Sequence, residues 1–205
     1  MSKIVVVFFS LAVLTASVFS QTSNVKPAGA RCSLTEAASP AARGIRLGLT
    51  TEQLLGLFPG AAKRREMKGP LDRLKAGAGN EAVYVVFDAA TDGDAQHFAG
   101  VESVSAGVYK GRVVDFSVQY GGATWRSIDE WVTKLSESFS LPGPKDWKDG
   151  SDEAPNKMLN CDRVLIEAAI QGGGASLRIR NADYVKEIQD RGAALEDKKR
   201  REVKP

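Results

Sequence analysis

The sequence predicts an α+β fold of two layers, a mainly antiparallel sheet with helices packed on one face. Three observations carry that prediction. Apolar and polar residues alternate over several short runs, the pattern of half-buried strands. Two of these runs, Val101 to Tyr109 and Arg112 to Tyr120, are joined by Lys110-Gly111 alone, which is the spacing of a tight hairpin with glycine at positive φ. Between strands stand segments whose apolar residues recur at helical spacing behind a capping residue.

Order begins at Gly44, where Ile45 and Leu47 alternate with Arg46. Thr50 then caps a short helix as Gln53, three residues on, reaches back to it in a capping box. Leu54, Leu55 and Phe58 form its apolar face and Pro59-Gly60 ends it. Residues 61–80 read as a loose basic connector. Glu81 to Phe87 is a strand with Val83, Val85 and Phe87 on one side, and Asp88 to Gly100 a polar loop. In the second hairpin strand Val114, Phe116, Val118 and Tyr120 face one way, and Val113, Asp115, Ser117 and Gln119 the other. One face is covered and one is wet, as in an antiparallel sheet with helices on a single side.

Ser127 and Glu130 make a second capping box, and Ile128, Trp131, Val132, Leu135 and Phe139 recur at helical spacing. Leu141-Pro142-Gly143-Pro144 stops that helix, and a polar loop with Trp147 as its one aromatic runs to about Asn160. Cys161 to Ile170 reads as a strand with Val164, Ile166, Ala168 and Ile170 inward. Gly172-Gly173-Gly174 turns the chain into a last strand, where Leu177 and Ile179 alternate with Arg178 and Arg180. Asn181 caps a final helix carrying Tyr184, Val185, Ile188 and Leu195, beyond which a charged tail, 196–205, is expected to fray.

The N-terminus has the layout of a secretory signal peptide. Lys3 precedes an apolar run from Ile4 to Val18, and Val18-Phe19-Ser20 leads to cleavage between Ser20 and Gln21. The run is shorter than the roughly 20 residues that cross a bilayer, and no cysteine stands at the junction to take a lipid, so no stable membrane anchor is expected after cleavage. Residues 21–43, rich in Ala, Ser, Pro and Gly, form a flexible lead-in, and 44–195 a single domain. An exported product is periplasmic or secreted, and in such an oxidising compartment the two cysteines, Cys32 and Cys161, are expected to pair as one structural disulfide.

The whole chain carries 28 basic and 25 acidic residues, a net charge of +3 that argues for neither nucleic acid nor anionic lipid. His97, the single histidine, has no nucleophile motif beside it and reads as an ordinary loop residue. Asp88, Asp92 and Asp94 around Gly93 loosely suggest a hard-cation loop, and Asp149, Asp152 and Glu153 form a second acidic cluster. Both lack the ligand spacing of a calcium loop and read as solvated turns. The glycine triplet joins two strands and so is a turn, with no helix N-terminus to cradle a phosphate. Lys63-Arg64-Arg65 and Lys198-Lys199-Arg200-Arg201 read as solvated faces without stacking aromatics. Arg178 and Arg180, on the outward side of a strand, are the more interesting pair: they suit an exposed binding surface, and ordinary solvation of the sheet explains them equally well.

Gly44-Ile45-Arg46-Leu47-Gly48-Leu49-Thr50-Thr51-Glu52-Gln53-Leu54 resembles the opening step of small exported modules, the SmpA/OmlA-type outer-membrane assembly lipoproteins and the β-lactamase-inhibitor-like fold. The resemblance implies helices on one face of an antiparallel sheet and non-enzymatic protein–protein contact in the cell envelope. Two features depart from it: the missing lipidated cysteine, and the connector at 61–80 where those modules place a second helix. The expectation is a non-catalytic exported binding module, with a protein partner of unknown identity in the envelope or extracellular space. Neither nucleic acid nor a cofactor or metal is expected. The alternatives are a small-molecule or lipid carrier with a pocket between helices and sheet, and, behind it, a hydrolase without a recognisable motif.

Overall fold

A computed structural model describes residues 32–77, 79, 81–122, 125–150, 155–172 and 174–202. The leader at 1–20, with its junction at Ser20 and Gln21, lies outside the described residues, as do Asp152, Glu153 and Gly173. Seven strands form one sheet: β1 (Val83–Asp88), β2 (Val101–Tyr109), β3 (Arg112–Tyr120), β4 (Lys148–Asp149), β5 (Asn156–Asn160), β6 (Val164–Gln171) and β7 (Gly174–Asn181). Their order is β1-β2-β3-β7-β6-β5-β4 and every neighbouring pair is antiparallel. Five helices accompany them: α1 (Thr51–Leu57), α2 (Lys68–Ala76), α3 (Ala89–Asp92), α4 (Ile128–Phe139) and α5 (Ala182–Glu202). The fold is α+β, as the alternation in the strands predicts.

One face of the sheet carries the core. Val83, Val85 and Phe87 stand opposite Val108, Ala106 and Val104, and Phe116 and Val118 opposite Ile179 and Leu177. All are buried in one cluster with Leu54 of α1, Leu71 and Leu74 of α2, and Trp131, Val132 and Leu135 of α4. Each such side chain withdrawn from water contributes about 1.5–3 kcal/mol, which holds even the two-turn α1 that propensity alone would not. Thr50 and Gln53 close the expected capping box at both hydrogen bonds. At α4 the box is half closed: Ser127 Oγ accepts from Glu130 N at 3.2 Å, while the Glu130 carboxylate takes the Arg126 amide at 2.9 Å.

Several elements differ from the sequence expectation. The 61–80 connector contains α2, whose Gly69 and Pro70 fall in the first turn, where a missing N–H costs nothing. Leu71 and Leu74 are its buried residues, and Met67, which caps it, is buried as well. The 88–100 loop holds α3 and buries Phe98, which stacks on Phe58 at 4.9 Å between ring centroids. The loop before Asn160 contains β4 and β5, short strands at the sheet's far edge in which Leu159 alone is buried. Cys161 lies in the turn before β6, its amide bonded to Val164 O.

A bulge corrects the facing of β3. The register shifts between Gly107 and Val108 of β2, so that Val113 pairs with Val108 and enters the core. Val114 turns to the opposite face and packs with Tyr109 and Tyr184. The same displacement seats the start of α5 on that opposite face, so this helix departs from the one-sided packing of the other four. Helical hydrogen bonding continues through 196–202, with ion pairs Lys199–Glu196 and Lys198–Glu202 along the exposed segment. At the hairpin tip Lys110 (φ 49°) and Gly111 (φ 74°) are both left-handed, the backbone of a tight two-residue turn.

The Cys32–Cys161 disulfide forms, with Cα atoms 4.5 Å apart. Residues 32–43, part of the expected lead-in, lie against the domain because the bridge is reinforced by local bonds. Asp162 N donates to Cys32 O, Arg163 N to Leu34 O, and Asn181 Nδ2 to Glu36 Oε2. Ala42 is buried in the core cluster.

Candidate functional site

The sheet face away from α1, α2 and α4 is open over most of its width, and α5 shields only one end. Between the two lies a groove of about 500 Å³. Its floor is set by strand register. Tyr84, Gly107, Asp115 and Arg180 follow one another across β1, β2, β3 and β7, and Ser117 and Arg178 form the next row. Tyr84 needs Gly107 beneath it: a Cβ there would stand 2.7 Å from the tyrosine ring, so the ring lies directly on the backbone. This places its hydroxyl 3.2 Å from Asp115 Oδ2, to which it donates.

Asp115 is buried, and its second partner is Arg178, one row along the sheet. Nε donates to Oδ1 at 3.0 Å and Nη2 to Oδ2 at 2.6 Å, a bidentate pair. The bond to Asp115 raises the Arg178 guanidinium above its ordinary value. Burial, and then the Asp115 charge, push the Tyr84 hydroxyl well above the ordinary tyrosine range. Arg180 forms a looser pair with Glu167, at 3.5 Å, while its buried Nε has no hydrogen-bond partner among the described residues.

The groove wall is the first turns of α5. Asn181 caps the helix, its Oδ1 accepting from Tyr184 N at 3.0 Å. Tyr184 packs against Tyr109 at 5.1 Å between centroids. Tyr109 also donates its hydroxyl to Glu187 at 2.9 Å and accepts from Arg191 at 2.7 Å, fixing the helix over the hairpin. Val185 and Ile188 complete the apolar side. Chemically this is a polar lock under an apolar rim. Tyr84 is made harder to ionise, and the carboxylate it touches is already held by an arginine.

Of the described residues weighed for chemistry in the sequence, Arg178 and Arg180 enter this groove and the others do not. His97 Nε2 lies 2.9 Å from Arg43 O and supports a turn. Asp88 caps α3 through Ala90 N and Thr91 N, and the Thr91 contact lowers its carboxyl below the ordinary value. Asp92 is buried, accepting from Asp88 N and from Arg64 Nη1 at 2.8 Å. Asp94 accepts from Gln96 N and His97 N. Asp88 and Asp94 are spent on their own loop, while Asp92 also holds Arg64 and its buried Oδ1 has no hydrogen-bond partner among the described residues; among those residues no cluster fit for a metal is found. Asp149 pairs with Lys157 at 3.3 Å. Gly172 and Gly174 join β6 to β7, with Gln171 opposite Gly174. Lys63 and Arg65 are exposed, and Arg64 serves Asp92 and Glu66. Tyr84 and Asp115 were missed, because alternation marks them only as outward-facing, and which outward residues meet depends on register.

The chain matches no family model, no curated protein and no solved structure. No helix among the described residues is long and apolar enough to cross a membrane.

Proposed function

We propose that the chain is an exported, non-catalytic binding module that takes an extended segment of a protein partner along β1 and the adjoining open face. One observation carries the reading. Among the described residues four large hydrophobic side chains are exposed, and three of them, Tyr84 (49%), Val86 (57%) and Ile188 (38%), border this one edge. An apolar strip rimmed by charged residues is the usual composition of a protein contact, with tyrosine a frequent anchor.

The backbone adds a reason for an extended partner. β1 is an edge strand paired to β2 alone. Asp88 N–H turns outward to the Asp92 carboxylate, and by the two-residue period of a strand the amides of Val86 and Tyr84 share that direction. Strand addition supplies main-chain bonds there, and pockets beside Tyr84 supply choice of side chain. The leader at 1–20 and the disulfide both accord with an oxidising destination. The resemblance of Gly44–Leu54 to exported assembly modules points the same way.

A photo-crosslinking amino acid at Val86, introduced in the exporting cell, is expected to give a discrete adduct that maps to one extended segment. The adduct should vanish on Tyr84→Lys, and the same label at Thr133, on the exposed side of α4, should give none. No adduct at Val86, or the same adducts from Thr133, would overturn the reading. Intact-mass measurement of the exported product should show a chain starting at or near Gln21, and retention of Met1 would remove the export half of the proposal.

A further inference from the structure

A second pocket, of about 480 Å³, lies away from the groove, between α4 and the end of β3. Its walls are aromatic. Trp131 is buried, with Nε1 donating to Ser176 O at 3.0 Å, and so presents a fixed ring. Trp125 leans on it at 4.8 Å between centroids and Tyr120 meets it edge-on at 5.2 Å. Trp125, Tyr120 and Phe139 are half-buried, with ring surface left toward the pocket.

The charges at the rim are uneven. Arg43 and Lys134 line the pocket, and neither is in an ion pair among the described residues. Glu102 packs against Gly121, which lines the pocket. Two cations against one carboxylate leave a single net positive charge, the complement of a monoanion.

Arg43 is held where it stands at a cost. It occupies the left-handed region (φ 53°) in a two-residue turn closed by Ala42 and Ile45, a position that glycine or asparagine fills without strain. Its Nη2 donates to Ala99 O at 2.6 Å and its own carbonyl meets His97 Nε2, so the guanidinium is aimed by contacts on both sides. Burial raises the Tyr120 hydroxyl above its ordinary value, and the nearby Arg43 charge opposes that shift, which places cation and hydroxyl on a common site.

We infer that this pocket binds a planar aromatic carboxylate, the ring seated among Trp125, Trp131, Tyr120 and Phe139 and the carboxylate between Arg43 and Lys134. The volume is in the range of small-molecule sites, and an aromatic floor with a few convergent polar groups is their ordinary composition. Flat rings stack on flat rings in offset or edge-on geometry, which favours an aromatic body over an alkyl chain. The site is independent of the β1 edge, so either can fail without the other.

The probe is 2-naphthoate, compared with neutral 2-naphthylmethanol and with laurate. Titration of the folded protein, followed by the indole N–H resonances, should shift Trp125 and Trp131 and leave Trp147 in place, since Trp147 is buried outside the pocket and bonded to Pro142 O. The acid should bind about tenfold more tightly than the alcohol, the worth of one charge-assisted hydrogen bond. Lys134→Gln, an exposed change on α4, should remove most of that advantage and leave the alcohol unaffected. Equal affinity for acid and alcohol, tighter binding of laurate than of naphthoate, or shifts that include Trp147 to the same extent would each overturn the proposal.

Discussion

Replacing Cys32 and Cys161 together by alanine should lower the stability of the folded chain by about 5 kcal/mol. The bridge closes a loop with a sequence separation of 129 residues, and in the chain-entropy account a loop of that size removes about 5 kcal/mol of freedom from the unfolded chain. The native state loses little directly, because Cys161 is a small buried side chain and Ala leaves a void of one sulfur. For a domain of this size each kcal/mol is worth about 2–4 °C, so the melting temperature should fall by about 10–20 °C. The strap at 32–36 should loosen with it, since Cys32 O and Leu34 O bond the same turn that carries Cys161. Urea unfolding of the oxidised protein, the reduced protein and the double variant checks this. A loss below about 1 kcal/mol would mean that the strap alone holds the N-terminal segment.

Asp115→Ala should cost about 3 kcal/mol. Its carboxylate accepts from Tyr84 and twice from Arg178 on a buried site, and removing one member of a buried pair leaves the other uncompensated. The figure belongs at the low end of the buried-pair range, because the Arg178 side chain is 41% exposed and water can reach part of it. Arg178→Met should cost more than Asp115→Ala, for it strands a carboxylate that is only 5% exposed. The double variant, Asp115→Leu with Arg178→Met, should be less destabilised than the sum of the singles, and additive losses would deny the coupling. Burial of Tyr84, and then the Asp115 charge, also produce an alkaline effect. Tyr84 ionises later in the folded protein than its ordinary value near pH 10, so the folded state is fully favoured below that pH and loses stability as pH rises above it. Asp115→Ala removes a negative neighbour and should narrow that window, which absorbance titration of the tyrosines reads directly.

How much of this was legible in the chain depends on how far apart the partners lie. The capping box at Thr50, the Ser127 half of the second box, the hairpin at Lys110-Gly111 and the Asn181 cap are local, and each stands where the residues place it. The helix α2 was written in Leu71 and Leu74 behind the capping Met67, but Gly69 and Pro70 masked it by resembling a turn when they occupy a first turn. The facing of Val114 was lost because a bulge adds a residue without altering the alternation on either side of it. The groove and the aromatic pocket were the least legible. Tyr84 reaches Asp115 across two strand pairings, and Arg43 reaches α4's aromatic face from a segment that reads as linker. Composition names the side chains, and only register decides which of them meet.

The strand order has a kinetic meaning as well. Every pairing in the sheet joins strands consecutive in the chain, except β3 with β7. Two meanders therefore assemble from short-range encounters, and a single seam has to be found across the sequence, the kind of search that slows folding most. Cys32 lies ahead of the first meander and Cys161 at the entry to the closing strands of the second, so an oxidised chain starts that search with its two halves already tethered.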